Sequence, residues 1–378
     1  GRQLAQPQHP EYMTKTHSLI STGLILLAIG AHSLLAQSGS TPPTEAPWAY
    51  GVQDHPAVLL HTDQYVYVKG QRSENRFVMG IIDPNKFEEP VTLFLYWQDR
   101  TSGKRRFYNF ESGFSAKPID LSTPNDGLAP AILRKPFNGL LLNEESLRRH
   151  GKELDQDVGH YLWCFEIRDA QGRKTLSRAY ALYSIVKEII EVEGTLPGET
   201  DWSAEAAYRL NGRVVVPDGA TLTIEPGCFV FGAVDQLSLL NVEVGGRLVA
   251  DGSPLFPIVF TSDLPLFQRR RSDWGGVVIN GDAPVNEPNA MGEGNTGRYG
   301  GDNPHHDGGI LRYVRVEFSG RRFSPTDELN GLTFQGCGDG TIIDHVQVHQ
   351  CSDDGIEFFG GTANARHVLV SGCGDDSL

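Results

Sequence analysis

From Arg213 to Leu378, apolar and polar positions alternate in short runs, each closed by glycine, proline or aspartate. The runs are Val214–Val216, Thr221–Ile224, Leu239–Val244, Gly246–Ala250, Pro257–Thr261, Gly276–Ile279, Leu311–Phe318, Gly331–Phe334 and Thr341–Val348. Period-two alternation predicts strands, and the Pro-Asp-Gly between the first two runs predicts a turn. No helical period separates the runs, so βαβ packing is excluded. The stretch Asp344-His-Val-Gln-Val-His-Gln-Cys-Ser-Asp-Asp354 returns 22 residues later as Arg366-His-Val-Leu-Val-Ser-Gly-Cys-Gly-Asp-Asp376. A strand-and-turn repeat of that length predicts a β-solenoid. About six coils of about 22 residues follow Arg213 once one long loop is set aside. Coils then stack strand over strand, with Val346 and Val348 above Val368 and Val370, and with His345, Gln347 and His349 facing outward.

Upstream, alternation predicts seven more strands: Ala57–Leu60, Tyr65–Val68, Arg76–Ile82, Val91–Trp97, Arg106–Phe110, His160–Ile167 and Ser177–Ser184. Turns fall at Ser102-Gly103 and Gln171-Gly172. Seven short strands within 51–190 suggest an Ig- or fibronectin-like β-sandwich. The strand His160–Ile167 is expected to have one buried and one wetter face. Leu140–Leu154 is read as a helical turn or a loop insertion. Cys164 is the sole cysteine of this unit, which excludes the disulfide of antibody domains. The fold class expected is all-β, a sandwich over 51–190 followed by a right-handed parallel β-helix over 195–378.

Before residue 51 the pattern differs. Leu19–Ala31 is one apolar run behind Lys15, of signal-peptide length and too short to span a bilayer. Residues 1–37 therefore read as upstream residues plus a leader, and 38–50 as a Ser/Thr/Pro linker. An exported protein is expected, extracellular, periplasmic or on the cell surface, with no transmembrane span in the mature chain.

Composition sharpens the partner class. The net charge is −14, and residues 195–378 hold 12 Arg, no Lys and 25 Asp or Glu. So acidic a half argues against nucleic acid or anionic lipid and suits cations or neutral glycans. A polysaccharide or cell-surface component is the expected partner.

Several motifs are similar to secreted right-handed parallel β-helix proteins of Gram-negative bacteria, which have a pectin-lyase-like architecture. They are Ala220-Thr-Leu-Thr-Ile-Glu-Pro-Gly227, Asp273-Trp-Gly-Gly-Val-Val-Ile-Asn-Gly281, Leu311-Arg-Tyr-Val-Arg-Val-Glu-Phe318, Glu328-Leu-Asn-Gly-Leu-Thr333 and Asp354-Gly-Ile-Glu-Phe-Phe-Gly-Gly-Thr362. The resemblance spans roughly 195–378 and implies right-handed coiling and an extracytoplasmic home, but no reaction. Members of that family continue past the second Asp-Asp pair, whereas this sequence stops at Leu378, so a C-terminally truncated fragment is expected.

Chemistry centres on Asp353, Asp354, Asp375 and Asp376, with Glu357 nearby. Stacked coils bring equivalent carboxylates to roughly 5 Å. At an effective dielectric of 20 such charges repel by about 3 kcal/mol, so a proton, an arginine or a cation is needed unless water screens them. Ca²⁺ is the natural cofactor for Asp353, Asp354, Glu357, Asp375 and Asp376, because it is hard and accepts many oxygens. Two other readings stay open. Asp-Asp-Gly is good turn chemistry at a corner. Asp353, Asp354, Asp375 and Asp376 also suit acid–base catalysis by a polysaccharide lyase or glycoside hydrolase. The Gly-His-Gly and Arg-x-Lys motifs of polygalacturonases are absent, and Arg366 is the basic residue nearest in sequence. Gly292-Glu-Gly-Asn-Thr-Gly297 matches a nucleotide loop in letters only. His305-His306-Asp307 is a metal candidate, and Arg269-Arg270-Arg271 an acidic-sugar candidate. The 28-residue excursion carrying the first two is expected to wall one face of the solenoid. Cys351 and Cys373 are in register for either a disulfide or a reduced ladder.

Overall fold

A computed structural model describes residues 58–62, 64–70, 78–82, 91–109, 113–114, 137–142, 157–169, 171, 173–287, 290–324 and 327–378. The leader, the linker and residues 143–154 lie outside them. The first nine strands are β1 (Val58–Thr62), β2 (Val66–Val68), β3 (Val78–Ile82), β4 (Val91–Asp99), β5 (Arg105–Asn109), β6 (Gly113–Phe114), β7 (Phe137–Leu142), β8 (Gly159–Asp169) and β9 (Thr175–Val186). Alternation predicts seven of them; β6 and β7 are additional, and Leu140–Leu142 is strand rather than helical turn or loop. One sheet has the order β1-β3-β7, the other β2-β9-β8-β4-β5-β6. Pairing is antiparallel except for β2 beside β9.

The expectation of a wet face on β8 fails, since Tyr161 through Arg168 are all buried. Its polar positions satisfy one another. Glu166 receives Arg168 at 2.6 Å and Arg178 at 3.3 Å. At the start of β8, His160 packs on the Phe256 ring of the solenoid at 5.3 Å.

The solenoid strands are β10 (Ile189–Thr195), β11 (Glu199–Trp202), β12 (Ala207–Val216), β13 (Thr221–Ile224), β14 (Phe229–Gly232), β15 (Leu239–Val242), β16 (Arg247–Asp251), β17 (Ile258–Ser262), β18 (Val277–Asn280) and β19 (Gly309–Glu317). A small antiparallel hairpin, β20 (Arg322–Ser324) with β21 (Asp327–Glu328), interrupts the last coils. They close with β22 (Leu332–Gln335), β23 (Ile342–His349), β24 (Ile356–Phe359) and β25 (Asn364–Ser371). Three parallel sheets result. Sheet A stacks β11, β13, β16 and the first halves of β19, β23 and β25. Sheet B stacks the first halves of β10 and β12, then β14, β17 and the second halves of β19, β23 and β25. Sheet C stacks the ends of β10 and β12, then β15, β18, β22 and β24. This is a parallel β-helix. It begins at Ile189, a few residues before the expected 195, and five coils rather than six follow Arg213. The difference is the residues spent in loops 263–276, 281–308 and 318–331.

Inward positions form one continuous apolar column, including Leu240, Val277, Leu332 and Ile356 on sheet C and Val314, Val346 and Val348 on sheet B. Val346 pairs with Val368 and Val348 with Val370, the register that the 22-residue repeat predicts. Alternation breaks at one residue between sheets A and B. Tyr313, His345 and His367 sit there with φ of 50°, 52° and 50°, a left-handed bend that turns the chain without a glycine. Neighbours Asp344 and His345 can therefore both face outward. His349 does not face solvent as alternation suggests. It is buried, edge-on to Phe318 and bonded through Nδ1 to Ser371 Oγ at 3.0 Å.

Two segments cover outer faces of the β-helix. Val66 and Val186 join Ala207, Phe229, Phe231 and Val259 in an apolar cluster over sheet B. Excursion 281–308 lies over sheet C, where Asn280 Nδ2 donates to Thr296 O at 2.8 Å and Arg213 donates to Asn295 O at 2.6 Å.

Candidate functional site

The stacked Asp-Asp segments lie at the corner between sheets B and C. β23 ends at His349, and Gln350 turns left-handed with φ of 58° before Cys351 tucks into the core. One coil later Gly372 makes the same turn with φ of 70°. Backbone bonds tie successive corners together: Gly355 N–H donates to Asp376 O, and Gly331 N–H of the preceding coil to Asp354 O, both at 3.0 Å. Gly374 is required by this closeness, because a Cβ there would lie 1.9 Å from Ser352 O.

Carboxylate oxygens of Asp353, Asp354 and Asp375 all lie within 4.8 Å of one another. Burial raises the Asp353 carboxyl to about 6, helped by the charges of Glu328, Asp354 and Asp375 and opposed by Arg322. Arg322 and Glu328 form an ion pair on the β20–β21 hairpin. Nothing in the spacing of the sequence pointed to either residue, since they reach the corner from a separate loop. Arg366 stands elsewhere, paired in register with Asp344 on sheet A. Asp376 meets the cluster through its backbone, its N–H donating to Asp354 Oδ1 at 2.9 Å. Glu357 points away to the outer side of sheet C, where the Asn330 amide donates to it. Burial, then Asp354 and Asp353, raise its carboxyl against that bond.

The two repeat histidines form a different feature. Tyr313, His345 and His367 stack their rings at 4.5 and 4.2 Å along the left-handed corner. His367 Nδ1 and His345 Nδ1 lie 2.7 and 2.9 Å from Asp344 Oδ1. With ring planes 23° apart the two nitrogens run side by side, so the shared carboxylate serves the stack.

The other sequence candidates do not converge. His305 bonds Asp339 at 2.8 Å, His306 is buried, and Asp307 accepts from Arg247 and from Gly309 N–H. Gly292 N–H closes on Gly297 O around the single 3-10 turn Glu293–Asn295, which opens no helix. Of the three arginines, Arg269 is buried, stacked over Tyr65 at 4.8 Å and bonded to Thr261 and Leu264 O. Thr261 in turn donates to buried Glu317 at 3.1 Å. This polar network lies between the upstream segment and sheet B, and a consecutive arginine run gave no sign of it. Arg271 meets Gln350, and Arg270 is exposed. All five cysteines are free, Cys351 and Cys373 included.

Three carboxylates within one small sphere are an all-oxygen donor set. Ca²⁺ bonds run about 2.3–2.6 Å, so oxygens on opposite sides of one ion are about 4.8 Å apart, and the observed spread fits a single ion. A carboxyl raised by burial beside two further carboxylates is also the arrangement of a general acid.

Residues 194–378 match a family model described as a pectate-lyase like beta helix domain, a range that takes in this corner and every solenoid strand but most of β10. No curated protein and no solved structure matches the chain. No helix among the described residues is long and apolar enough to cross a membrane.

Proposed function

We propose that this protein is an exported β-helix module that binds polysaccharide at the cell surface, with Ca²⁺ held by Asp353, Asp354 and Asp375 bracing the coil corner. One observation carries the cation: three carboxylates from two coils within 4.8 Å of one another, with an all-oxygen donor set. Asp376 supports the arrangement from the backbone. Export is supported by the apolar run Leu19–Ala31 behind Lys15, and a glycan partner by the acidic, lysine-free half. The parallel sheets offer long, regular outer faces suited to an extended polymer. Thermal melting of the full chain across a Ca²⁺ titration tests the cation. Melting temperature rises with Ca²⁺ in the native protein and stays flat in the Asp353→Asn, Asp375→Asn double variant. A flat response in the native protein retires the cation, and retention on uronate or neutral glycan columns checks the partner separately.

Asp353 supports a second reading. A carboxyl lifted to about 6 beside Asp354 and Asp375 is suited to donate a proton to a glycosidic oxygen. A reducing-sugar and unsaturated-product screen on uronate polymers tests it. Activity that survives both Asp353→Asn and Asp354→Asn would remove this corner from the chemistry.

A further inference from the structure

A cavity of about 210 Å³ lies between the upstream segment and the early coils of sheet B, lined in part by Gln64, Tyr65, Ile189, Phe231, Asp263 and Arg269. That is below the roughly 300–1,000 Å³ of drug-sized sites, so its occupant is limited to about one ring with a short substituent. Tyr65 and Phe231 supply aromatic walls, and Ile189 stands beside them with 41% of its surface exposed. Half of the lining is therefore apolar and needs an apolar body to cover it.

Charge decides what else the occupant must carry. Two guanidinium groups line the cavity, and they differ in their surroundings. Arg209 lies 3.1, 2.9 and 2.8 Å from Glu191, Asp235 and Asp263, so carboxylates already outnumber it. Arg269 is only 9% exposed, and its bonds go to neutral acceptors. Its Nε donates to Leu264 O at 2.8 Å and its Nη1 to Thr261 Oγ1 at 3.1 Å, while Nη2 has no hydrogen-bond partner among the described residues. The carboxylate behind Thr261 is Glu317, which has its own direct partner in Arg315. Burial lowers the Arg269 guanidinium from its ordinary value, so desolvation outweighs the pull of Tyr65, Glu317, Asp273 and Asp263. A buried guanidinium with donors to spare is completed by a carboxylate, whose two oxygens match its planar fork. The three carboxylates around Arg209 oppose any second negative charge, which disfavours a phosphate dianion.

We infer that this cavity binds a small monocarboxylate with an aromatic or apolar body, its carboxylate on Arg269 and its body against Tyr65, Phe231 and Ile189. The site is separate from the Asp353–Asp354–Asp375 corner and stands or falls without the function proposed above.

The test is a fluorine NMR titration of para-fluorophenylacetate into the full chain, with the matching primary amide as a neutral analogue. Saturable binding of the acid is expected, and the amide should bind about ten- to a hundredfold more weakly, the range for losing a hydrogen bond to a charged group. Arg269→Lys keeps the charge but loses the fork, and should weaken the acid at least tenfold. Because Arg269 also stacks over Tyr65, a second variant leaves the guanidinium alone. Ile189→Trp, at an exposed position, fills the cavity and should abolish binding with the melting temperature unchanged. Inorganic phosphate and glucuronate, a carboxylate on a polar ring, should not displace the probe. No saturable binding, equal affinity for acid and amide, displacement by phosphate or glucuronate, or binding indifferent to either variant overturns the inference. Arg269 would then serve only to hold Tyr65 on sheet B.

Discussion

Replacing Asp353 with asparagine keeps its shape and removes its charge. Burial first, then Glu328, Asp354 and Asp375, raise the Asp353 carboxyl from 3.8 to about 6 in the fold, with Arg322 opposing. A carboxyl raised on folding favours the native state when protonated. Native protein therefore holds the extra proton between about 6 and 3.8, and stability increases as pH falls through that window. The full gap corresponds to roughly 3 kcal/mol. Because Asp353 keeps part of its surface in water, screening reduces this to about 1 kcal/mol. In chelator at pH 7.5, Asp353→Asn should be the more stable protein by about that amount, a rise of about 2–4 °C in melting temperature for a unit of this size. The advantage should vanish near pH 4, where the native carboxyl is also neutral. With saturating Ca²⁺ the order should reverse, since the ion gains a ligand only in the native protein. Melting followed by circular dichroism across pH 4 to 8, with and without Ca²⁺, reads all three. An Asp353→Asn variant no more stable than the native chain at pH 7.5 in chelator, or an advantage that persists at pH 4, would refute the reasoning.

Three further outcomes follow from the packing. Leu332→Ala empties a fully buried position between Val277 and Ile356 on sheet C and should cost about 2–5 kcal/mol in denaturant unfolding. Gly227→Ala adds a Cβ only 2.7 Å from the His160 ring, on a residue with φ of +88°. It should destabilise by about 1–3 kcal/mol and speed proteolysis between the antiparallel sheets and the β-helix. Burial pushes the Asp344 carboxyl up, but the His367 hydrogen bond and the two imidazole charges outweigh it and hold it below 3.8. That stabilisation is complete above 3.8 and is lost as pH falls through the lowered value, so native and Asp344→Asn melting curves should converge in strong acid.

Much of the solenoid was legible from residue order. Side-chain period in a strand fixes which residues face inward, and a 22-residue repeat fixes which residues stack, so Val346 over Val368 followed from sequence and recurs in the structure. The same arithmetic placed Asp353 and Asp375 on one corner. It failed wherever a position answers to something outside its own coil. His345 and His367 depart from strand geometry because the chain must bend between two sheets, and a left-handed bend leaves no mark on the alternation. His349 is buried against Phe318 and Ser371, and β8 is buried on both faces from Tyr161 to Arg168.

The site divided in the same way. Sequence could gather Asp353, Asp354, Glu357, Asp375 and Asp376 by proximity along the chain. Only the tertiary structure separated them, sending three carboxylates to the corner and Glu357 across to Asn330. Periodicity specifies in against out and coil upon coil, because backbone pairing and burial of an apolar column act locally and repeat. Which loop folds back over which face depends on contacts between distant segments, and those bring Arg322 to Asp353 and Tyr65 to Arg269.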